Sequence, residues 1–162
     1  MKMIIHENER GLLFVKGKFV KCLGAGTYRV PRRGEIEVVR AAGELLSAHA
    51  NTDTLLSDPV LYEQTERVTV SPFEAVIRLQ DGASDCVVPA GEHLFWKEGG
   101  SFLRFDTTSA EITADVPLAF VEKWAPFLLV RTEVKDGEMG KLYFDNKFVR
   151  MLEPGKYLFW AN

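Results

Sequence analysis

Slid along itself by 129 positions, the sequence lays ERGLLFVKGKFVKCLGAGTYRV (9–30) on EMGKLYFDNKFVRMLEPGKYLF (138–159) without a gap. Nine of the twenty-two pairs are identical: Glu9/Glu138, Gly11/Gly140, Leu13/Leu142, Lys18/Lys147, Phe19/Phe148, Val20/Val149, Leu23/Leu152, Gly26/Gly155 and Tyr28/Tyr157. A weaker third copy, EAVIRLQDGASDCVVPAGEHLF (74–95), lies midway, with Gly82 and Gly91 matching Gly17 and Gly26 at a shift of 65. Its ending, Leu94 to Trp96, recurs as Leu158 to Trp160. Self-similarity at a fixed period is the mark of repeated supersecondary units that bury their apolar faces on one another.

Each copy carries the same local physics. An apolar run (Leu12–Val15, Val76–Leu79, Leu142–Phe144) meets Lys16-Gly17, Asp81-Gly82 or Asp145-Asn146, and a second run follows (Phe19–Leu23, Cys86–Val88, Phe148–Leu152). Gly and Asn tolerate the positive φ of two-residue hairpin turns, so each copy predicts a β-hairpin. GAG, PAG or EPG then turns the chain into an aromatic run at Tyr28, at His93–Trp96 and at Tyr157–Trp160, Pro fixing φ where Gly accepts a left-handed turn. The expected turn residues are Gly17, Gly26, Gly82, Gly91, Asn146 and Gly155; the expected packing set is Phe14, Phe19, Tyr28, Trp96, Phe148, Tyr157 and Trp160. Gly24-Ala25-Gly26 has the outline of a phosphate-binding loop, but Arg29 stands where a dinucleotide fingerprint needs its third glycine, and no helical pattern follows.

Between the copies, Ile36 and Val38 alternate as a strand, and NTDTLLSDPVLYEQTERV predicts one or two short helices with Asp53 and Asp58 as caps and Pro59 at a first helical position. GGSFLRFDTTSAEITADV predicts strands, followed by a short helix over Leu118 to Trp124 that ends before Pro126 and a strand toward Val134. The expected fold is mainly β with short helices (α+β): three tandem β-hairpin modules of about 65-residue period, stacked in a line. Their expected bounds are 1–66, 67–132 and 133–162.

A content of 46% hydrophobic residues suffices for a packed core, and no apolar run reaches the length of a membrane span. MKMIIHENERG is too short in apolar residues for a signal peptide, and Cys22 and Cys86 have no CxxC spacing, so a cytoplasmic chain with buried thiols is expected. From Arg10 to Arg40, eight Lys/Arg face Glu35 and Glu37, a net +6; from Ala41 to Asp115, four Lys/Arg face thirteen Asp/Glu, a net −9. Such segregation suits attraction between modules, within a chain or between chains, as well as a merely solvated surface. No catalytic, metal-ligating or cofactor-binding set emerges. His6, His49 and His93 are scattered, His93 holds the place of Tyr28 and Tyr157, and Glu35 and Glu37 read as a solvated strand face. Lys16, Lys18, Lys21, Arg29, Arg32 and Arg33 form the one basic cluster with a function to offer, contact with an anion or a partner. Overall acidity and the lack of a nucleic-acid motif disfavour nucleic acid, and no small-molecule substrate is indicated.

The first and third copies share a Glu-x-Gly step into an apolar strand, a turn and Phe-Val, and the third ends Leu152-Glu153-Pro154-Gly155-Lys156-Tyr157. This pattern resembles the opening segment of band 7 proteins, the stomatin, prohibitin and flotillin (SPFH) superfamily, and bacterial slipins above all. The vault family, which strings β-rich repeats of similar size before a band 7-like shoulder, resembles the arrangement as a whole. The resemblance implies the N-terminal region of a slipin-like protein, stopping short of the band 7 core and coiled coil and without the membrane hairpin. The function it implies is a non-enzymatic scaffold or partner-docking region that uses no cofactor and works through self-association or a protein partner. It implies a cytoplasmic location, peripheral to the inner membrane face, with any membrane contact made through other regions or through the basic patch. The alternative is a peripheral module that binds anionic lipid or nucleic acid through the basic first copy.

Overall fold

The computed structural model describes residues 1–112, 116, 118–124 and 127–161. Among them, fourteen strands against three short helices make the fold mainly β, as expected, and the chain divides into two compact units, Met1–Arg104 and Phe105–Asn162.

The first unit opens with β1 (Lys2–Ile5), β2 (Glu9–Val15), β3 (Lys18–Leu23), β4 (Gly26–Arg29) and β5 (Gly34–Arg40), arranged as a β1-β4 pair and a β3-β2-β5 sheet. Lys16 and Gly17, at φ 53° and 77°, close the β2–β3 hairpin. Two successive positive φ values give the turn whose twist matches that of the flanking strands. Strand alternation sends Leu13, Leu23 and Ile36 toward Ile5 and half-buried Tyr28 of the β1-β4 pair and half-buried Val30 just beyond it, and sends Leu12, Phe14 and Cys22 to the opposite face. Both faces of β2 are thus covered, which is why Leu12–Val15 is a continuous apolar run rather than an alternating one.

The second face is roofed by Leu55 of α1 (Thr52–Leu56) and Leu61 of α2 (Pro59–Gln64). Asp58 caps α2 with Pro59 as its first residue, as the sequence predicts. The cap of α1 is Asn51, whose Oδ1 accepts from Thr54 N at 2.8 Å, so Asp53 falls in the first turn instead of at the cap. Next come β6 (Thr65–Val70), β7 (Glu74–Gln80), β8 (Ala83–Val88), β9 (Gly91–Trp96) and β10 (Gly100–Asp106). β6 pairs with β9, and the sheet order is β10-β7-β8. The pairing Ile5↔Gly26 has its counterpart in Val70↔Gly91, and the register shift at Leu13/Phe14 in one at Arg78/Leu79. Val68, Val70, Val76, Val88 and Phe95 form the core here. Beyond β10 the expected strands do not continue: Glu111 makes an isolated bridge, and 113–115 lie outside the described residues.

The second unit holds α3 (Leu118–Trp124), β11 (Leu129–Val134), β12 (Gly140–Phe144), β13 (Lys147–Leu152) and β14 (Gly155–Trp160). The helix forms over the residues expected; its expected stop at Pro126 lies outside the described residues. β11 pairs with β14, Val134 opposite Gly155, and β12 with β13 through Asp145 and Asn146 at φ 53° and 61°. Val134, Leu152 and Phe159 make its core, and Phe105 packs 5.9 Å from Phe120 and 5.7 Å from Trp160, ring to ring.

Candidate interaction surfaces

Strands β4, β9 and β14 each begin at a glycine and tie a ring back to the turn before it. Tyr28 Oη donates to Gly24 O at 2.9 Å, Tyr157 Oη donates to Glu153 O at 2.6 Å, and His93 Nε2 lies 2.8 Å from Pro89 O. Of the expected packing set, Phe14, Trp96 and Trp160 are buried, Phe19, Tyr28 and Tyr157 are half-buried, and Phe148 is exposed.

His93 does more than pack. Its Nδ1 sits 2.8 Å from Glu44 Oε1. A carboxylate and a carbonyl both accept, so satisfying both requires a proton on each ring nitrogen. Burial works against the charge, but the hydrogen bonds donated to the Glu44 carboxylate and the Pro89 carbonyl, with the Glu44 charge, together outweigh it and raise the imidazole above its ordinary 6.5. Glu44 reaches this position because Gly43–Leu45 adds to the outer edge of β9: Leu45 N donates to Leu94 O at 2.8 Å, and Trp96 N to Gly43 O at 2.9 Å. In the second unit the same clasp is made on β14. There Ile112 N donates to Leu158 O at 2.9 Å and Trp160 N to Ala110 O at 3.0 Å, while Glu111 pairs with Arg150, whose guanidinium lies over the Tyr157 ring. Both clasps read small residue, Glu, aliphatic. On β4 the residue equivalent to Trp96 and Trp160 is Pro31, which has no N–H to give, so that edge is blunted.

The acidic strand face read as solvated anchors the connector instead. Glu37 accepts from Ser47 Oγ and from Ala48 N, each at 3.1 Å, and Glu35 lies 3.5 Å from His49 Nε2. Buried Asp58 does two jobs: Oδ1 accepts from Val60 N (2.9 Å) and Leu61 N (3.1 Å), and Oδ2 from Cys22 N (3.0 Å). Burial first, and then the Asp58 charge, push the Cys22 thiol up to about 11, so it remains a protonated apolar filler.

The basic cluster is only partly brought together. Lys16 N donates to Arg33 O at 2.9 Å, which gathers Lys16, Lys18, Arg32 and Arg33 at one end of the β3-β2-β5 sheet. Lys21 stands mid-strand opposite Leu13, and Arg29 sits on the other sheet opposite Lys2. A hollow of about 260 Å³ at this end is lined by Phe14, Gly17, Arg33, Gly34, Glu35 and His49; the carboxylate of Glu35 makes it a poor anion cradle.

Among the described residues no three His, Cys, Asp or Glu side chains are placed to hold a metal ion, and no helix is long and apolar enough to cross a membrane. No family model, curated protein or solved structure matches this chain. Arg78 was missed by the sequence reading. It is fully buried, 3.2 Å from Asp85 Oδ2 and 5.4 Å from the centre of the Phe95 ring, at the position that Leu13 and Leu142 hold in the other copies. A charged residue in an otherwise apolar repeat column was the available signal.

Proposed function

We propose that this chain is a non-enzymatic scaffold, an assembly and partner-docking region of a slipin-like band 7 protein, built from three tandem β-hairpin modules of about 65-residue period that stack in a line as vault-type repeats do. The observation that carries this reading is the clasp. In each unit a connector ends by making a Glu ion pair and adding backbone hydrogen bonds to the aromatic strand that follows it, the kind of local join that repeated modules use. The identical offsets of pairing, turn and ring-to-turn bond support treating the three copies as one module. The family assignment rests on the Glu-x-Gly and Leu-x-Pro-Gly-x-Tyr residues alone, and with it goes a cytoplasmic site at the inner membrane face.

The mating faces are the basic end of the first module and the acidic stretch from Ala41 to Asp115. The test is the mass of the chain by light scattering at low salt beside that of a K16E/K18E/R32E/R33E variant. The wild type is expected to associate and the variant to stay monomeric; equal masses would remove the electrostatic assembly reading. The four gathered cations favour a second reading, docking on anionic lipid, which predicts vesicle binding that this variant loses and that salt weakens steeply.

A further inference from the structure

The β12–β13 hairpin turns Leu142 and Leu152 to its core and leaves the other face in solvent, with Tyr143 58%, Phe148 55% and Met151 39% exposed. At a shift of 129 these residues are Phe14, Phe19 and Cys22. There the same face is covered: with Leu12, these three pack beneath Leu55 of α1 and Leu61 of α2, beside Leu94 and Trp96 of β9. The aromatic pair keeps its geometry between the two sites, with Phe14 and Phe19 ring centres 5.6 Å apart at 57° and Tyr143 and Phe148 5.7 Å apart at 69°. The strand position of the polar contact has its counterpart too. Met151 stands opposite Lys141 as Cys22 stands opposite Leu12, and the Cys22 N–H is the donor that Asp58 receives.

Charge agrees with shape. The segment roofing the first module, residues 51–64, carries Asp53, Asp58 and Glu63 with no Lys or Arg, whereas the open face of β12–β13 carries Lys141, opposite Met151. Where the covered site has Leu12, the open one has Lys141, a cation that suits an acidic roof better than a second basic hairpin face. We infer that the outer face of β12–β13 is a docking site for an acidic amphipathic helical segment with leucine knobs and an N-capping carboxylate, the chemistry of residues 51–64. This rests on the reading of the copies as equivalent modules.

The experiment titrates the isotope-labelled full chain with a synthetic peptide of its own residues 50–65 at about 150 mM salt, where exposed charges more than roughly 8 Å apart are screened, and follows backbone amides by NMR. Saturable shifts are expected at Tyr143, Phe148 and Met151. A D58A peptide should bind at least about fivefold more weakly, the factor that ~1 kcal/mol for one hydrogen bond gives. F148S in the chain should abolish the shifts, whereas F73S, at an exposed phenylalanine elsewhere, should not. Three results would overturn the site: no shifts at these amides with millimolar peptide, equal binding by the D58A peptide, or shifts there that follow protein concentration without peptide, which would make a second copy the occupant. The assembly reading is scored separately by mass. An associating chain that ignores the peptide loses this site alone, and a monomer that binds the peptide loses assembly alone.

Discussion

Asp58→Ala removes two supports with one side chain. The carboxylate caps α2 through Val60 N and Leu61 N, and losing an N-cap of this kind costs ~1 kcal/mol. It also receives the Cys22 N–H in a buried setting, and stranding a buried donor costs about 1–3 kcal/mol. The sum is about 2–4 kcal/mol, enough to lower the melting temperature of a unit this size by roughly 10 °C or more. Asp58→Asn separates the parts: its one oxygen can still cap the helix while its NH₂ faces the Cys22 N–H, so about half of the loss is expected. Trp96 packs in the same cluster as Leu61 and so reports on this unit, once Trp124 and Trp160 of the other unit are replaced by Phe. In guanidinium unfolding followed by Trp96 fluorescence, a D58A change of less than about 0.5 kcal/mol, well below the typical cap alone, or equal values for D58N and D58A, would rule out this double role for Asp58.

A Cβ on Gly11 would meet Ile5 Cδ1 at 2.3 Å and Ile36 Cγ2 at 3.0 Å. G11A should therefore cost about 1–3 kcal/mol, and I5V should recover much of it in urea unfolding, because Val70 and Val76 hold the equivalent positions in the second copy. His93 has a folded pKa raised above 6.5, so its stabilising pair with Glu44 is fully present below that value and is lost as pH rises through the raised one. The wild type should lose melting temperature across that window relative to H93Y, which keeps a ring-to-turn bond but carries no charge; parallel profiles would contradict the clasp. Y157F should cost about 0.5–1 kcal/mol through the Glu153 carbonyl, and Y28F a similar amount through Gly24; an unchanged denaturation midpoint in both would detach the hydroxyls from turn stability.

The hairpins were legible because their determinants are local: two turn residues that accept positive φ between apolar runs name both the strands and the register. The same is true of α2, where Asp-Pro writes the cap and the first turn. Partnerships between distant segments were not legible. That β1 pairs with β4, and that Gly43–Leu45 clasps β9, depends on backbone groups whose partners no side chain announces. Glu35, Glu37 and His93 each looked like surface or packing when taken singly. Their roles exist only once the connector folds over them. Phe148 shows the converse, a residue whose repeat position matches half-buried Phe19 but which stands 55% exposed.

The most direct test of the scaffold reading is sedimentation equilibrium of the intact chain over a wide concentration range, at about 20 mM and about 150 mM salt, conditions between which the screening length falls several-fold. The expected mass climbs with concentration at low salt and relaxes toward the 18.3 kDa monomer as salt rises. A mass of 18.3 kDa at every concentration and both salts would contradict charge-complementary assembly by these modules.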